Sequence, residues 1–246
     1  VPGPDGNFDE RIAARYDEDA ASLFDPAVIN STADFLADLA GEGRALEFGI
    51  GTGRIALPLS ERGVDVFGIE LSRAMVARLR EKPGAERIDV TIGDFTTTAV
   101  KDAFSLVYVV FNTIENLTTQ EAQIACFRNA AAHLEPGGCF VVEVGVPDLR
   151  RLPPGETFRV FSGEENHWGI DEYDIVKQGL VSHHVWIADE GVERFSAPYR
   201  YVWPSELDLM AKLAGMRLRD RWSGWEREAF TSESDGHVSV WEKAGA

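Results

Sequence analysis

The chain has 246 residues, 44% of them hydrophobic and 26% charged, with a formal charge of −17, which suits one globular unit with room for a subdomain. An acidic surface of this kind repels phosphate backbones and anionic headgroups, and no apolar run is long enough to span a bilayer, so nucleic acid and membrane are not expected partners. The two cysteines, Cys126 and Cys139, lack metal-ligand spacing, and the opening residues carry no secretory signal; a disulfide framework and a metal site are not expected, and a cytoplasmic setting is.

Residues Val1–Asn7, with two prolines and two glycines, read as a loose lead-in. From Phe8 to Ala40 the apolar spacing is helical: Ile12, Tyr16 and Ala20 form one stripe, Asp25–Pro26 breaks it, and Val28, Phe35, Leu36 and Leu39 resume it. Alternating units follow. Strand Arg44–Phe48 leads to helix Thr52–Arg62, and strand Val64–Ile69 leads to helix Ser72–Arg80. Strand Ile88–Ile92 runs into Gly93–Asp94–Phe95, strand Phe104–Phe111 precedes helix Thr119–His133, and a turn at Glu135–Gly138 opens strand Cys139–Gly145. Strands separated by helices of this length predict a parallel sheet with right-handed crossovers and helices on both faces.

The character changes at Pro147. Between Pro147 and Trp203 the pattern predicts strands at Tyr173–Gln178, Leu180–Ala188 and Val192–Trp203, turning at Lys177–Gly179 and Asp189–Gly191. This is read as an antiparallel insertion over one end of the sheet, whose open edges could pair in a homodimer. Helix Pro204–Ala214 and strands Met216–Trp222 and His237–Glu242 then close the main sheet. The expected fold is α/β, a doubly wound, mostly parallel seven-stranded sheet with a C-terminal antiparallel hairpin and an antiparallel β insertion. Its expected parts are residues 1–146, 147–203 and 204–246.

The stretch Ala45–Glu70 carries the chemistry. Gly49, Gly51 and Gly53 let the chain turn sharply out of the first strand and bring its N–H groups close to a ligand. Two cofactors fit those glycines. Gly51-x-Gly53-x-x-Ala56 satisfies a dinucleotide fingerprint, with Glu70 about 20 residues on. Alternatively, Glu47 stands two residues before the first glycine, where an anion disfavours a pyrophosphate and suits the ammonium and sulfonium of S-adenosylmethionine. Glu70 closes the second strand with two acceptor oxygens for ribose hydroxyls. Asp94 and Phe95 close the third, where they can accept from an adenine amino group and cover its ring.

Glu47–Gly53, Glu70, Gly93–Phe95 and the Leu134–Gly138 turn together resemble the successive motifs of class I S-adenosylmethionine-dependent methyltransferases. The likeness spans roughly Tyr16 to Val146, and it implies a Rossmann-like core. Arg15–Tyr16–Asp17 is similar to the N-terminal helix motif of that family, which implies that Tyr16 holds the methionine carboxylate. Gly49, Gly51 and Gly53 would line the methionine, Glu70 the ribose, Leu71 and Met75 the adenine, and Asp94 and Phe95 would bind and cover it. The layout, Asp25–Pro26 and the insertion included, resembles small-molecule methyltransferases of bacterial natural-product pathways.

In a sheet of this kind the acceptor lies beyond the carboxyl ends of the strands. The segment from Phe111 to Asn116 leaves the fourth strand opposite the glycine turn, so Phe111 is expected beside the donor, Asn112 and Asn116 beside the acceptor, and Glu115 as a base or a partner for a cationic amine. His184 is a second candidate base, although a strand histidine more often has a structural role; His167 and Tyr201 are candidate acceptor contacts. Neither the tetrapeptide of base and glutamine methylation nor the metal-ligand pattern of catechol methylation is found. The expected activity is methyl transfer to an N, O or C nucleophile of a small molecule. A nicotinamide-dependent oxidoreductase and a non-catalytic scaffold or sensor are the alternatives.

Overall fold

A computed structural model describes residues 8–19, 25–188 and 191–245. The lead-in, Ala20 of the predicted stripe and Asp189–Glu190 of the predicted turn lie outside the described residues. The elements in chain order are α1 (Glu10–Asp19), α2 (Pro26–Ala40), β1 (Arg44–Phe48), α3 (Ala56–Glu61), β2 (Asp65–Glu70), α4 (Arg73–Arg80), β3 (Asp89–Ile92), β4 (Phe104–Val109), α5 (Gln120–His133) and β5 (Leu134–Gly145). They continue with β6 (Phe158–Gly163), β7 (His167–Asp174), β8 (Gly179–Ala188), β9 (Gly191–Arg200), α6 (Pro204–Leu213), β10 (Met216–Trp222) and β11 (Gly236–Lys243).

Side-chain caps set the helix starts. Asp25 accepts from the Ala27 N–H at 2.8 Å ahead of Pro26, Ser72 accepts from Met75 at 3.1 Å, and Thr119 accepts from Ala122 at 3.1 Å. Seven strands form one sheet in the order β10-β11-β5-β4-β1-β2-β3. Pairs within β3-β2-β1-β4-β5 are parallel, and β11 and β10 add antiparallel. Alternation along the strands divides the core: Phe48, Phe127, Phe140 and Trp241 pack on one face, Phe35, Leu59, Tyr108, Val141 and Trp225 on the other. The chain order switches between β1 and β4, so the crevice at their carboxyl ends lies between the Gly49 turn and Phe111.

Four sequence expectations shift. The helix expected at Thr52–Arg62 is only Ala56–Glu61, because Gly49, Gly51 and Gly53 all take positive φ (+70°, +56°, +80°), which a right-handed helix cannot include. Glu135–Gly138 is not a turn ahead of β5 but an irregular stretch within it, between the Phe104↔Leu134 and Leu106↔Cys139 pairings. Of the strand predicted at Tyr173–Gln178 only Tyr173 and Asp174 are strand, as the end of β7; the remaining four residues turn the chain into β8. Finally, β6 was not expected, and the strand predicted through Trp203 stops at Arg200. Phe158 and Val160 of β6 are exposed, so the strand carries no burial alternation to read. The insertion is an antiparallel sheet, β6-β7-β8-β9.

Candidate active site

The glycine turn is braced from the neighbouring strand. Glu70 accepts from the Gly51 N–H through Oε2 at 2.9 Å and from the Ser72 N–H through Oε1 at 2.8 Å. A Cβ on Gly49 would lie 2.7 Å from Thr113 Cγ2, and one on Gly53 2.3 Å from Leu79 Cδ1, whereas one on Gly51 would meet nothing nearer than Met75 Cε at 3.4 Å. Gly53 therefore answers to packing behind the turn; Gly49 and Gly51 face the crevice.

Tyr16, Glu47, Gly49, Gly51, Thr52, Arg54, Phe111 and Thr113 line one small cavity. Glu47 is buried; Tyr108 Oη–H donates to its Oε2 at 2.9 Å, and the Ala56 N–H also donates to it. Burial pushes its carboxyl up to about 8. The anion that the sequence places before the glycines is thus mostly protonated at neutral pH, until a cation arrives to draw it down.

Helix α1 is tied to this turn and to the insertion at once. Thr52 Oγ1–H donates to Asp17 at 2.6 Å, and Lys82 Nζ bridges Asp17 and the Thr52 carbonyl at 2.5 and 2.9 Å. The next residue back, Tyr16, reaches the cavity, and burial raises its pKa. Arg15 reaches the insertion, pairing with Glu193 at 3.1 Å and lying 5.9 Å over the Trp186 ring.

The predicted adenine side is less uniform. Met75 is buried beside Gly51, while Leu71 is 42% exposed and Asp94 is exposed, its Oδ1 accepting from Thr96 N–H at 2.8 Å. Phe95 stacks on Phe48 at 5.5 Å in the core and turns an edge toward Gly49.

Past Val109 the backbone kinks. Phe111 and Asn112 take φ of +61° and +54° in succession, an arrangement that costs a bulky residue such as Phe about 1–2 kcal/mol. The Arg54 guanidinium lies 4.4 Å over the Phe111 ring. On the far side of the kink a cleft of about 440 Å³ opens, lined by Asn112, Glu115, Arg159, Asp171, Tyr173 and Tyr201 among others. The Glu115 carboxyl is pushed up to about 8 by burial and by the nearby Asp171. Asp171 is itself raised by burial, and it accepts from Ser182. Tyr199 is pushed up to about 12 by burial, with Glu115, Tyr16 and Asp171 all near enough to act on it.

The cleft thus brings together Asn112, Glu115 and Tyr201. It does not bring in His184 or His167. His167 opens strand β7 rather than sitting in a loop, and its Nε2 lies 3.0 Å from Nδ1 of His184, whose other nitrogen is 3.3 Å from Ser182 Oγ. The two rings stack with Trp186. Asn116 does not cap the next helix; it donates to the Thr113 carbonyl at 3.2 Å and its Oδ1 is buried without a protein partner. Sequence reasoning missed Arg54, which the Gly51–Arg54 spacing could have flagged. It also missed Asp171, which lies in β7 ahead of the residues assigned to that strand. Among the described residues no group of three or more His, Cys, Asp or Glu could hold a metal ion, and no helix is long and apolar enough to cross a membrane.

This sheet order, with a glycine turn braced by the acid closing β2, defines a Rossmann-like α/β enzyme of the methyltransferase fold. A methyltransferase-domain family model matches residues 45–138. The chain is 37% identical to the CcbJ methyltransferase of Streptomyces caelestis, whose structure superposes with a TM-score of 0.87 over 98% of both chains. It is 25% identical over 238 residues to the cypemycin N-terminal methyltransferase of a Streptomyces species, covering 93% of this chain and 97% of that one. S-adenosylmethionine-bound CalS10, an amino pentose methyltransferase from Micromonospora echinaspora, shares the fold at 22% identity, with a TM-score of 0.69 over 92% and 96% of the chains. The chain belongs to the S-adenosylmethionine-dependent methyltransferases, which removes the nicotinamide alternative.

Proposed function

We propose that the protein methylates the nitrogen of a small amine bound in the cleft at Glu115 and Asp171. The observation that carries this reading is the pair itself: two carboxyl groups, both raised by burial, share a cleft next to the donor cavity. Such a pair is relieved by a cation. The relative named for the cypemycin N-terminus supports an amine acceptor. A cleft of about 440 Å³ between insertion and core also favours turnover over a scaffold or sensor role.

The donor cavity suits S-adenosylmethionine. Gly49 and Gly51 leave room where a side chain would intrude, and Tyr16 and Arg54 are placed for its carboxylate. In this reading Glu47, which lines the cavity, faces the donor's cationic end, and Glu70, which closes β2 beside the glycine turn, takes the ribose hydroxyls. Asp94, Phe95, Leu71 and Met75 are assigned to the adenine side. When bound, the donor supplies an electrophilic methyl group, so the protein contributes mainly alignment, worth several kcal/mol. Glu115 and Asp171 hold the acceptor as its ammonium. Burial keeps Glu115 more basic than an ordinary carboxylate; ionised by the bound ammonium, it can take the ammonium proton and leave the nitrogen lone pair free. Asn112 and Tyr201 orient the acceptor, and the insertion excludes water. His167, His184 and Asn116 lie outside the lining of this cleft and carry no step of this reading.

The experiment is a methyl-transfer screen with S-adenosylmethionine over panels of amines, alcohols and phenols. Turnover confined to amines, and lost in Glu115→Gln with S-adenosylhomocysteine affinity retained, supports the reading. Turnover on hydroxyl acceptors alone overturns it.

A further inference from the structure

Glu143, on β5, belongs to no expected site, yet four hydrogen bonds converge around it. Its Oε2 accepts from the Phe111 N–H at 2.9 Å, its Oε1 accepts from Trp225 Nε1–H at 3.1 Å, and its carbonyl accepts from the Asn112 N–H at 3.3 Å. Asn112 Oδ1 in turn accepts from the Gly145 N–H at 2.7 Å. Both residues held this way are the left-handed pair past β4. A conformation that a phenylalanine avoids persists only where its surroundings over-determine it.

The kink sits between the two halves of the site. Phe111 lines the donor cavity and Asn112 lines the acceptor cleft. We propose that Glu143, itself held by Trp225, is a positioning residue for methyl transfer that fixes the Phe111–Asn112 kink and so sets the wall between donor and acceptor. The inference rests on the donor-cavity reading above. Glutamate suits this role because it offers two acceptor oxygens to two donors on opposite sides; glutamine has one and presents an N–H₂ to the other donor.

The test uses the full chain, hydrogen exchange at individual amides, and calorimetric titration with S-adenosylhomocysteine. Glu143→Gln is expected to speed exchange at Phe111 and Asn112 about tenfold, with amides in β4 unchanged, and to weaken S-adenosylhomocysteine by about tenfold. Adding Trp225→Phe removes the donor that the new amide opposes, so the double variant should recover part of both losses. A merely structural role would make the double variant worse. Glu143→Gln within twofold of the unaltered protein in both readouts, or a double variant worse than the single, overturns the proposal. If S-adenosylhomocysteine fails to bind the unaltered protein, the donor-cavity reading falls and the brace falls with it; failure confined to the variants' predicted losses sinks the brace alone.

Discussion

Tyr108 and Glu47, on adjacent parallel strands and paired in register, meet through a 2.9 Å hydrogen bond in which the phenol donates to a fully buried carboxyl. Burial raises Glu47 from 4.5 to about 8 and raises Tyr108 further above its ordinary value. A raised carboxyl pKa stabilises the fold fully below the unfolded value and loses that contribution as pH climbs from 4.5 through about 8. The loss is on the order of 5 kcal/mol. Thermal melts at pH 5 and pH 9 should therefore differ less in Glu47→Gln than in the unaltered protein. An equal drop in Tm for both would show that Glu47 does not titrate in this range.

Donor binding should also move protons. If a cation settles beside Glu47, the carboxyl is drawn down and releases a proton at pH 7. Titration of S-adenosylmethionine in two buffers of different ionisation enthalpy measures that release. It should shrink in Glu47→Gln; identical values in both proteins would remove Glu47 from the donor's surroundings.

Glu70 serves the turn before it serves any ligand, since both its oxygens already accept backbone N–H groups. Glu70→Ala is expected to weaken S-adenosylhomocysteine by about 1–3 kcal/mol, because two acceptors are lost and the Gly51 N–H is left without its partner. Calorimetric affinity unchanged by the substitution would exclude Glu70 from the donor site.

Two glycines of the same turn should respond differently to alanine. Gly53→Ala drives a methyl to within 2.3 Å of Leu79 at positive φ and should lower stability by about 1–3 kcal/mol. Gly49→Ala crowds Thr113 at the cavity, so it should lower S-adenosylhomocysteine affinity beyond what its Tm loss explains. Melting curves with and without S-adenosylhomocysteine separate the two effects.

The parallel core was legible because each buried strand and its following helix announce themselves through apolar runs and turn chemistry. The cradle was legible for the same reason: glycines at every second position serve few other purposes. Its consequences were not all legible. The positive φ of Gly51 and Gly53 delays α3 to Ala56, a backbone fact that residue spacing does not reveal. The insertion was read least well. Phe158 and Val160 of β6 are exposed, so that edge strand lacks alternation, and missing it shifted β7 and concealed Asp171. Glu143 was invisible for another reason: its partners Phe111 and Trp225 are 32 and 82 residues away, joined only by the folded sheet.

The tripeptide Arg15–Tyr16–Asp17 has a geometric consequence. Successive residues on an α-helix point about 100° apart, so these three side chains fan toward three separate bodies: the insertion, the cavity and the glycine turn. Deleting one residue among the three would turn one flank against the other by about 100°, so the three contacts could not all be kept. Insertions and deletions at Arg15–Asp17 should consequently be tolerated less well than those in the loops of the smaller sheet.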